Sequence, residues 1–181
     1  KPSANPPSRR GYAFKVKRLA QAPAFDGETE WEEWPVSMIQ LDREPSRWSA
    51  GGAPVFARLA YDDKNLYVAL QVVTFDAGKI RTGTEWGTDD GAEVSIAGKD
   101  GTYVLRGFAG GKLQCVTDAG ISTDEASNLE NAVQYVAKPF GQTRGGGRSE
   151  WAIPLETLGI QPKSGEKIPF NLATYRSEDG I

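Results

Sequence analysis

VFARLAYDDKNLYVALQVV, residues 55–73, is the stretch that decides the fold. Every second residue from Val55 to Tyr61 is apolar, and so is every second residue from Leu66 to Val72, as in strands that bury one face. The segment 62–65 between them, Asp-Asp-Lys-Asn, is typical of a tight turn. The stretch therefore predicts a β-hairpin, and because its opposite faces are also partly apolar, this hairpin is predicted to be central to the core.

Similar runs of β-branched and aromatic residues recur along the whole chain, between turn signals supplied by 21 Gly and 11 Pro. About ten strands at this spacing predict an all-β fold, an antiparallel β-sandwich. The predicted strands cover 13–19, 36–41, 55–61, 66–73, 92–97, 103–108, 112–117, 133–138, 150–153 and 168–175. One helical turn is predicted at 154–159, where Pro begins it and Gly ends it, while 124–133 fits either a further turn or two or a surface loop.

The length of 181 residues favours one domain over two. Residues 1–10 are rich in Pro and Ser and are predicted to form a linker or arm, and the sandwich is predicted to occupy 11–181. No apolar run reaches the roughly 18–20 residues that a membrane span requires, and no signal-peptide pattern opens the sequence. We therefore expect no membrane partner.

Charge and residue counts exclude several function classes. The formal net charge is -3 and the predicted pI is about 5.1, so a nucleic-acid partner is not expected. The chain has no His, which removes the commonest general base and His-based metal sites, and its single Cys permits no intrachain disulfide. Cys115 lies in a predicted strand and is interpreted as a buried structural thiol.

The stretch EWGTDDGAE, residues 85–93, holds the candidate site. Trp86 stands on a polar, Gly-rich loop with carboxylates immediately behind it. Sugar rings stack their C–H faces on flat aromatic surfaces, and their hydroxyls require aimed donors and acceptors. The stretch therefore predicts carbohydrate recognition, and Trp48, on a long loop of its own, is the alternative exposed aromatic.

Five motifs follow one another along the chain: AFDGE at 24–28 with Trp31 and Trp34-Pro35, ARLAYDDKNLYV at 57–68, Trp86 with DGAEV at 90–94, EWAIP at 150–154 and PFNL at 169–172. In their order and spacing they resemble the motifs of the family-nine carbohydrate-binding modules, over nearly the whole chain from Tyr12 onward. Members of that family are β-sandwiches from secreted bacterial proteins that degrade polysaccharides. The resemblance implies a non-catalytic module, secreted or periplasmic, linked to another domain of a larger protein.

The resemblance also implies the ligand-binding residues. Trp86 falls on the family's first stacking tryptophan, Glu93 on its acidic position and Arg106 on its basic position. The second stacking tryptophan would lie beyond Ile181, so the C-terminal part of the module is expected to be missing from this chain. Two hydrogen-bonding positions of the family are replaced, by Phe108 and Ala173.

Structural calcium near the acidic motif is a further implication of the resemblance, because clustered carboxylates supply the hard oxygen ligands that calcium prefers. The predicted ligands are Asp76, Asp89 and Asp90, for which ordinary turn roles are the alternative. Two other functions remain open at this point. One is a structural or protein-interaction sandwich that has lost its sugar, with Trp86 as a lid. The other, less favoured, is a glycosidase or lyase that uses paired carboxylates.

Overall fold

The protein is described by a computed structural model that covers residues 13–29, 33–41, 54–74, 76–141 and 145–177. Two sheets of mostly antiparallel strands face each other as a sandwich, so the predicted fold class is confirmed. The strands are β1 Lys17–Arg18, β2 Ile39–Leu41, β3 Val55–Tyr61, β4 Asn65–Thr74, β5 Gly91–Ala97, β6 Thr102–Phe108, β7 Leu113–Val116, β8 Gln134–Gly141, β9 Gly145–Pro154 and β10 Phe170–Tyr175, with helix α1 Thr123–Ala132 and a 3₁₀ turn Ala77–Lys79.

The larger sheet has the strand order β1-β3-β4-β9-β8, and β2 also pairs with β3. The hairpin predicted from residues 55–73 forms β3 and β4, in the register Val55↔Val72 to Tyr61↔Leu66. Its turn is held by Asp62, whose Oδ1 accepts the N–H groups of Lys64 and Asn65, each at 2.7 Å. The smaller sheet has the order β10-β5-β6-β7.

The main core lies between the two sheets. Alternate residues of β3 and β4 point into it, as the sequence pattern predicts, and meet Val94 and Ile96 of β5. Trp151 of β9 is fully buried there, with Ile153 on the same side of the strand, as period-two alternation requires. A second, smaller core covers the outer face of the larger sheet and contains Trp34, at 0% exposure, together with Tyr67.

Close packing between the sheets depends on Gly107 in β6. A Cβ at this position would lie 2.6 Å from Trp151 Cη2 and 2.5 Å from Tyr135 Cζ. The ring of Tyr135 packs edge-on against that of Trp151, with centroids 4.6 Å apart, and its hydroxyl donates to the Phe108 carbonyl oxygen at 3.0 Å. The two sheets are therefore joined here by both apolar contact and a hydrogen bond.

Residues 145–147 are glycines that begin β9, where neighbouring backbone comes so close that a Cβ on Gly146 would lie 1.9 Å from the Val72 carbonyl oxygen. Two local predictions need correction or completion. Residues 155–159 form a hydrogen-bonded turn, closed by Gly159 N–H donating to Glu156 O, without becoming a helix. The ambiguous segment 124–133 is helical in α1, within the described chain.

Helix α1 forms despite its Asn and Ser content because its N-terminus carries a capping box. The Ser122 hydroxyl accepts the Glu125 N–H, and the Glu125 carboxylate accepts the Ser122 N–H at 2.7 Å. Ala126 and Leu129 then bury one face of the helix in the main core. No helix in the described ranges is long and apolar enough to cross a membrane.

Glu150 links the N-terminal segment to the larger sheet. Its side chain is fully buried on the face of β9 opposite Trp151. Its Oε2 accepts the Gly27 N–H at 2.9 Å, and its Oε1 accepts the Trp34 indole N–H at 3.0 Å. Burial raises the pKa of Glu150, and the two N–H donors offset part of that rise.

Gly107→Ala is expected to lower the free energy of unfolding by about 1–3 kcal/mol, because the added methyl group overlaps the rings of Trp151 and Tyr135. Urea denaturation followed by tryptophan fluorescence measures the change. Gly147→Ala is the matched control, since a Cβ at that strand position meets nothing within 4 Å. Equal stabilities of the two variants would contradict the role given to Gly107.

The pH dependence of stability is expected to carry the signature of Glu150. Because its pKa is raised in the folded state, protonated Glu150 favours folding, and this contribution is lost as the pH rises through the folded pKa. Wild type should therefore gain stability relative to Glu150→Gln as the pH falls from about 7.5 to about 5. Unfolding free energies of both proteins across that interval provide the measurement. A difference that stays constant with pH would refute this interpretation.

Candidate functional site

The outward face of the smaller sheet brings the predicted acid and base together. Ala92, Val94 and Ile96 of β5 point into the core, so Glu93 points outward from the strand between them. In β6, Arg106 likewise alternates with the buried Leu105. The strand register then places Glu93 directly opposite Arg106.

Arg106 is held by two carboxylates. Its Nε donates to Glu93 Oε2 at 2.9 Å, and its Nη2 donates to Asp118 Oδ2 at 3.1 Å. The side chains of Arg106 and Glu93 are only 19% and 18% exposed, whereas that of Asp118 is 66% exposed. These two carboxylates accept from two of the five N–H groups of the guanidinium.

Trp86 lies above this pair. The Arg106 Cζ stands 5.2 Å from the centroid of the Trp86 ring, a cation–π contact. The ring also lies over Gly91, two residues before Glu93 on β5, where a Cβ would meet Trp86 Cζ3 at the ordinary contact distance of 3.4 Å. The structure therefore unites Trp86, Glu93 and Arg106, the three residues predicted to bind the ligand.

The loop that carries Trp86 is closed by its own hydrogen bonds. The Glu85 carbonyl oxygen accepts from Thr88 N at 3.1 Å and from Asp89 N at 2.9 Å. In return the Asp89 carboxylate accepts the Glu85 N–H at 2.8 Å. Gly87 has a φ of 89°, the left-handed conformation that this tight turn requires.

Asp90 attaches this loop to the rest of the fold. Its carboxylate accepts the Arg81 N–H at 2.9 Å and the Ser177 hydroxyl at 2.6 Å. Its backbone carbonyl oxygen accepts the Ala109 N–H at 2.9 Å. The position of Trp86 is therefore set by the end of β6 and by the segment after β10.

Tyr175 is an aromatic neighbour that sequence reasoning missed. It ends β10, opposite Gly91, and its ring centroid lies 6.3 Å from that of Trp86 with the planes inclined at 51°. A sugar stacked between two rings needs about 3.5–4 Å on each side, or roughly 7–8 Å in all. Tyr175 therefore borders Trp86 and does not form the second wall of a sandwich with it.

Other polar side chains reach the same face by strand register, which the sequence could not specify. Gln114 of β7 lies opposite Arg106 on the side away from Glu93. Asn171 of β10 lies opposite Ser95, whose hydroxyl is 3.4 Å from Glu93 Oε1. Period-two alternation from Glu93 and Arg106 would have identified these positions only if the strand pairing had been known.

The two replaced family positions lie at this site and supply no hydrogen-bonding side chain. Phe108 is fully buried, and a Cβ on Gly91 would lie 3.5 Å from its ring. Ala173 is opposite Glu93 on β10. Trp48, the alternative aromatic, lies outside the described residues, as does Trp31.

The three predicted calcium ligands are occupied by local hydrogen bonds. Asp76 caps the 3₁₀ turn by accepting the Gly78 N–H, while Asp89 and Asp90 accept the backbone N–H groups named above. The structure does not gather these three into one set of ligands, so they do not fit a shared ion. Calcium stays a prediction for this chain.

A different acidic group does converge within the described chain. One carboxylate oxygen from each of Asp26, Glu33 and Glu150 lies within 4.8 Å of the others. Both oxygens of Glu150 already accept N–H groups, from Gly27 and Trp34. The sequence did not indicate this cluster, because its members come from the N-terminal segment and from β9.

A cavity of about 40 Å³ opens between the sheets behind the site, lined by Tyr175, Gly91, Tyr135 and Arg148 among others. One buried water needs about 10–15 Å³ of such space, so this cavity has room for a few water molecules and not for a sugar ring. The candidate site is therefore an outward surface. Cys115, predicted to be a buried structural thiol, is half-buried behind it in β7, and burial raises the pKa of its thiol to about 11.

Comparison with known structures supports the fold. A family 9 carbohydrate-binding module from Caldicellulosiruptor kristjanssonii in complex with cellotriose is similar, with a TM-score of 0.63 and 19% identity over 87% of this chain and 73% of that one. A second such structure from that organism, with glucose, has a TM-score of 0.58 and 17% identity over 90% of this chain and 78% of that one.

Among curated proteins the sequence has no significant match. The model of the carbohydrate family 9 binding domain-like family, however, matches residues 25–181, a range that includes the motifs of the resemblance except for Ala24. The fold, with its hairpin of β3 and β4 and its small sheet beneath Trp86, agrees with that match. This chain therefore belongs to the carbohydrate family 9 binding domain-like family.

Proposed function

We propose that this protein binds a mono- or oligosaccharide, without cleaving it, on the outward face of the smaller sheet. The observation that carries the proposal is the convergence of Trp86, Glu93 and Arg106 at one place. A hydrogen-bonded loop supplies the first residue and two adjacent strands supply the others. The relatives whose solved structures hold glucose and cellotriose make gluco-configured sugars the first ligands to test.

The chemistry of the three side chains suits a sugar. The indole presents a flat π surface to the C–H face of the ring. Arg106 and Glu93 offer a donor and an acceptor on rigid strands, so little side-chain entropy is lost when a hydroxyl binds. Their mutual hydrogen bond of 2.9 Å fixes both groups before the ligand arrives. We infer that the site is largely preformed.

A non-catalytic role agrees with the geometry of the acids. Glycoside hydrolases need two carboxyl groups facing each other across the sugar, about 5–5.5 or 6.5–9.5 Å apart. Asp89 and Asp90 instead accept N–H groups of their own loop, and Glu93 is paired with Arg106. We propose that the module directs a larger, secreted or periplasmic, polysaccharide-acting protein to its substrate.

One observation favours a second candidate function, a structural or protein-interaction sandwich. Trp86 already has Arg106, Gly91 and Tyr175 as neighbours. A ring engaged in this way also serves as a lid on the end of the smaller sheet. The two functions predict different effects of removing the Trp86 ring. Loss of a lid lowers mainly the free energy of unfolding, whereas loss of a surface on which the sugar stacks lowers mainly the affinity for the sugar.

Trp86→Ala is expected to weaken sugar binding by about 1–3 kcal/mol, the range for loss of one stacked ring. Isothermal titration calorimetry with glucose and cellotriose provides the measurement. Phe140→Ala is the matched control, because Phe140 also lies under an arginine guanidinium, that of Arg148 at 4.6 Å, but on the other sheet. Unchanged affinity with reduced stability in Trp86→Ala would favour the lid, and absence of any binding by wild type would refute sugar recognition.

Asp90→Ala is expected to reduce sugar affinity severalfold without removing any ligand contact. The substitution removes the side-chain hydrogen bonds to Arg81 and Ser177 and keeps the backbone bonds of residue 90, so the loop is loosened and binding must restore its order, at a cost of roughly 0.5–1.5 kcal/mol per immobilised side chain. Near-UV circular dichroism should lose intensity from Trp86, and calorimetry should show a less favourable binding entropy. Identical titrations for Asp90→Ala and wild type would show that these hydrogen bonds do not position the ring.

A further inference from the structure

The electrostatic balance of the site is set by three groups. The strands of the smaller sheet carry Glu93 and Arg106 as the charged side chains of their outward positions, and this pair is neutral by itself. Asp118, in the turn after β7, adds a second carboxylate to the same guanidinium. The cluster therefore has two negative charges and one positive charge.

The placement of these charges decides which of them a ligand meets. The Glu93 side chain is 18% exposed and lies beside Trp86 and Arg106, whereas the Asp118 side chain is 66% exposed at the rim. The excess negative charge is therefore on the solvent side.

Arg106 is the group that would otherwise attract an anionic sugar. Its Nε and Nη2 both point to carboxylates, so its charge is balanced before any ligand binds. A uronate carboxylate that approached Arg106 would have to displace Asp118 or lie next to it. Like charges placed together in a binding site disfavour that ligand, and opposite charges favour theirs.

We propose that Asp118 determines the ligand class of this site: it selects neutral sugars and sugars that carry an ammonium group, and it disfavours uronates. This inference rests on the proposed sugar-binding function and deepens it. Asp118 acts through its charge at the rim and through its hydrogen bond to Arg106, while stacking on Trp86 is common to all three ligand types.

The test compares three sugars of the same ring size and configuration, namely glucose, glucosamine and glucuronate. Calorimetric titrations are made at about pH 6, where the amine of glucosamine is protonated. Wild type is expected to bind glucosamine about tenfold more tightly than glucuronate, with glucose between them. The ratio should shrink at high salt, because Asp118 is exposed and its interactions are screened.

Asp118→Asn should bring the glucosamine-to-glucuronate ratio close to one. Asp63→Asn is the matched control, because Asp63 is likewise an exposed aspartate paired with one arginine, Arg18, on the other sheet. This control should keep the wild-type ratio. Thermal melting of both variants checks that the fold is retained.

The outcomes separate the two proposals. If glucose binds but the ratio in Asp118→Asn equals that of wild type, the inference about Asp118 is overturned and sugar binding stands. A wild-type preference for glucuronate would also overturn it. If none of the three sugars binds wild type, both the proposed function and this inference fail.

Discussion

The packing of Trp151 against Gly107 is the contact on which the rest of the structure depends. Trp151 is the bulkiest side chain between the sheets, and it fits because the facing strand has no side chain at 107. Tyr135 closes the same gap from β8 and donates its hydroxyl to the carbonyl oxygen of Phe108. The smaller sheet is thereby held against the larger one at the strand that carries Arg106, since protein interiors leave few voids and tolerate little overlap.

The face of β9 opposite Trp151 holds the N-terminal segment in place. Glu150 follows the alternation of β9 and points away from Trp151, where Gly27 and Trp34 donate to its two oxygens. A buried carboxylate is expensive unless its acceptors are satisfied, so this group constrains the path of the chain before β2. Two adjacent residues of one strand thus join the sheets on one side and the covering segment on the other.

The packing of the two sheets also fixes the positions of the residues in the candidate site. Glu93 and Arg106 are neighbours because β5 and β6 pair in a register that the core-facing residues impose. Trp86 is positioned by a loop whose carboxylates accept hydrogen bonds from the loop's own backbone and from Ser177. Asp89 and Asp90, two of the three predicted metal ligands, therefore position an aromatic ring. Asp118, which we propose to determine the ligand class, comes from a turn with no recognisable motif.

Much of this was determined by the sequence alone. Period-two alternation predicts strands because a sheet buries one side, and so the positions of the strands, the hairpin of β3 and β4, and the inward direction of Trp151 and Ile153 could be read from it. The sequence of helix α1 is ambiguous because its capping box competes with poor intrinsic propensity, and only burial of Ala126 and Leu129 decides in favour of the helix. The neighbours of Trp86 were beyond sequence reasoning. Tyr175 comes to lie beside Trp86, and Gln114 and Asp118 beside Arg106, through strand register and turn direction, which are settled by packing between residues far apart in the chain.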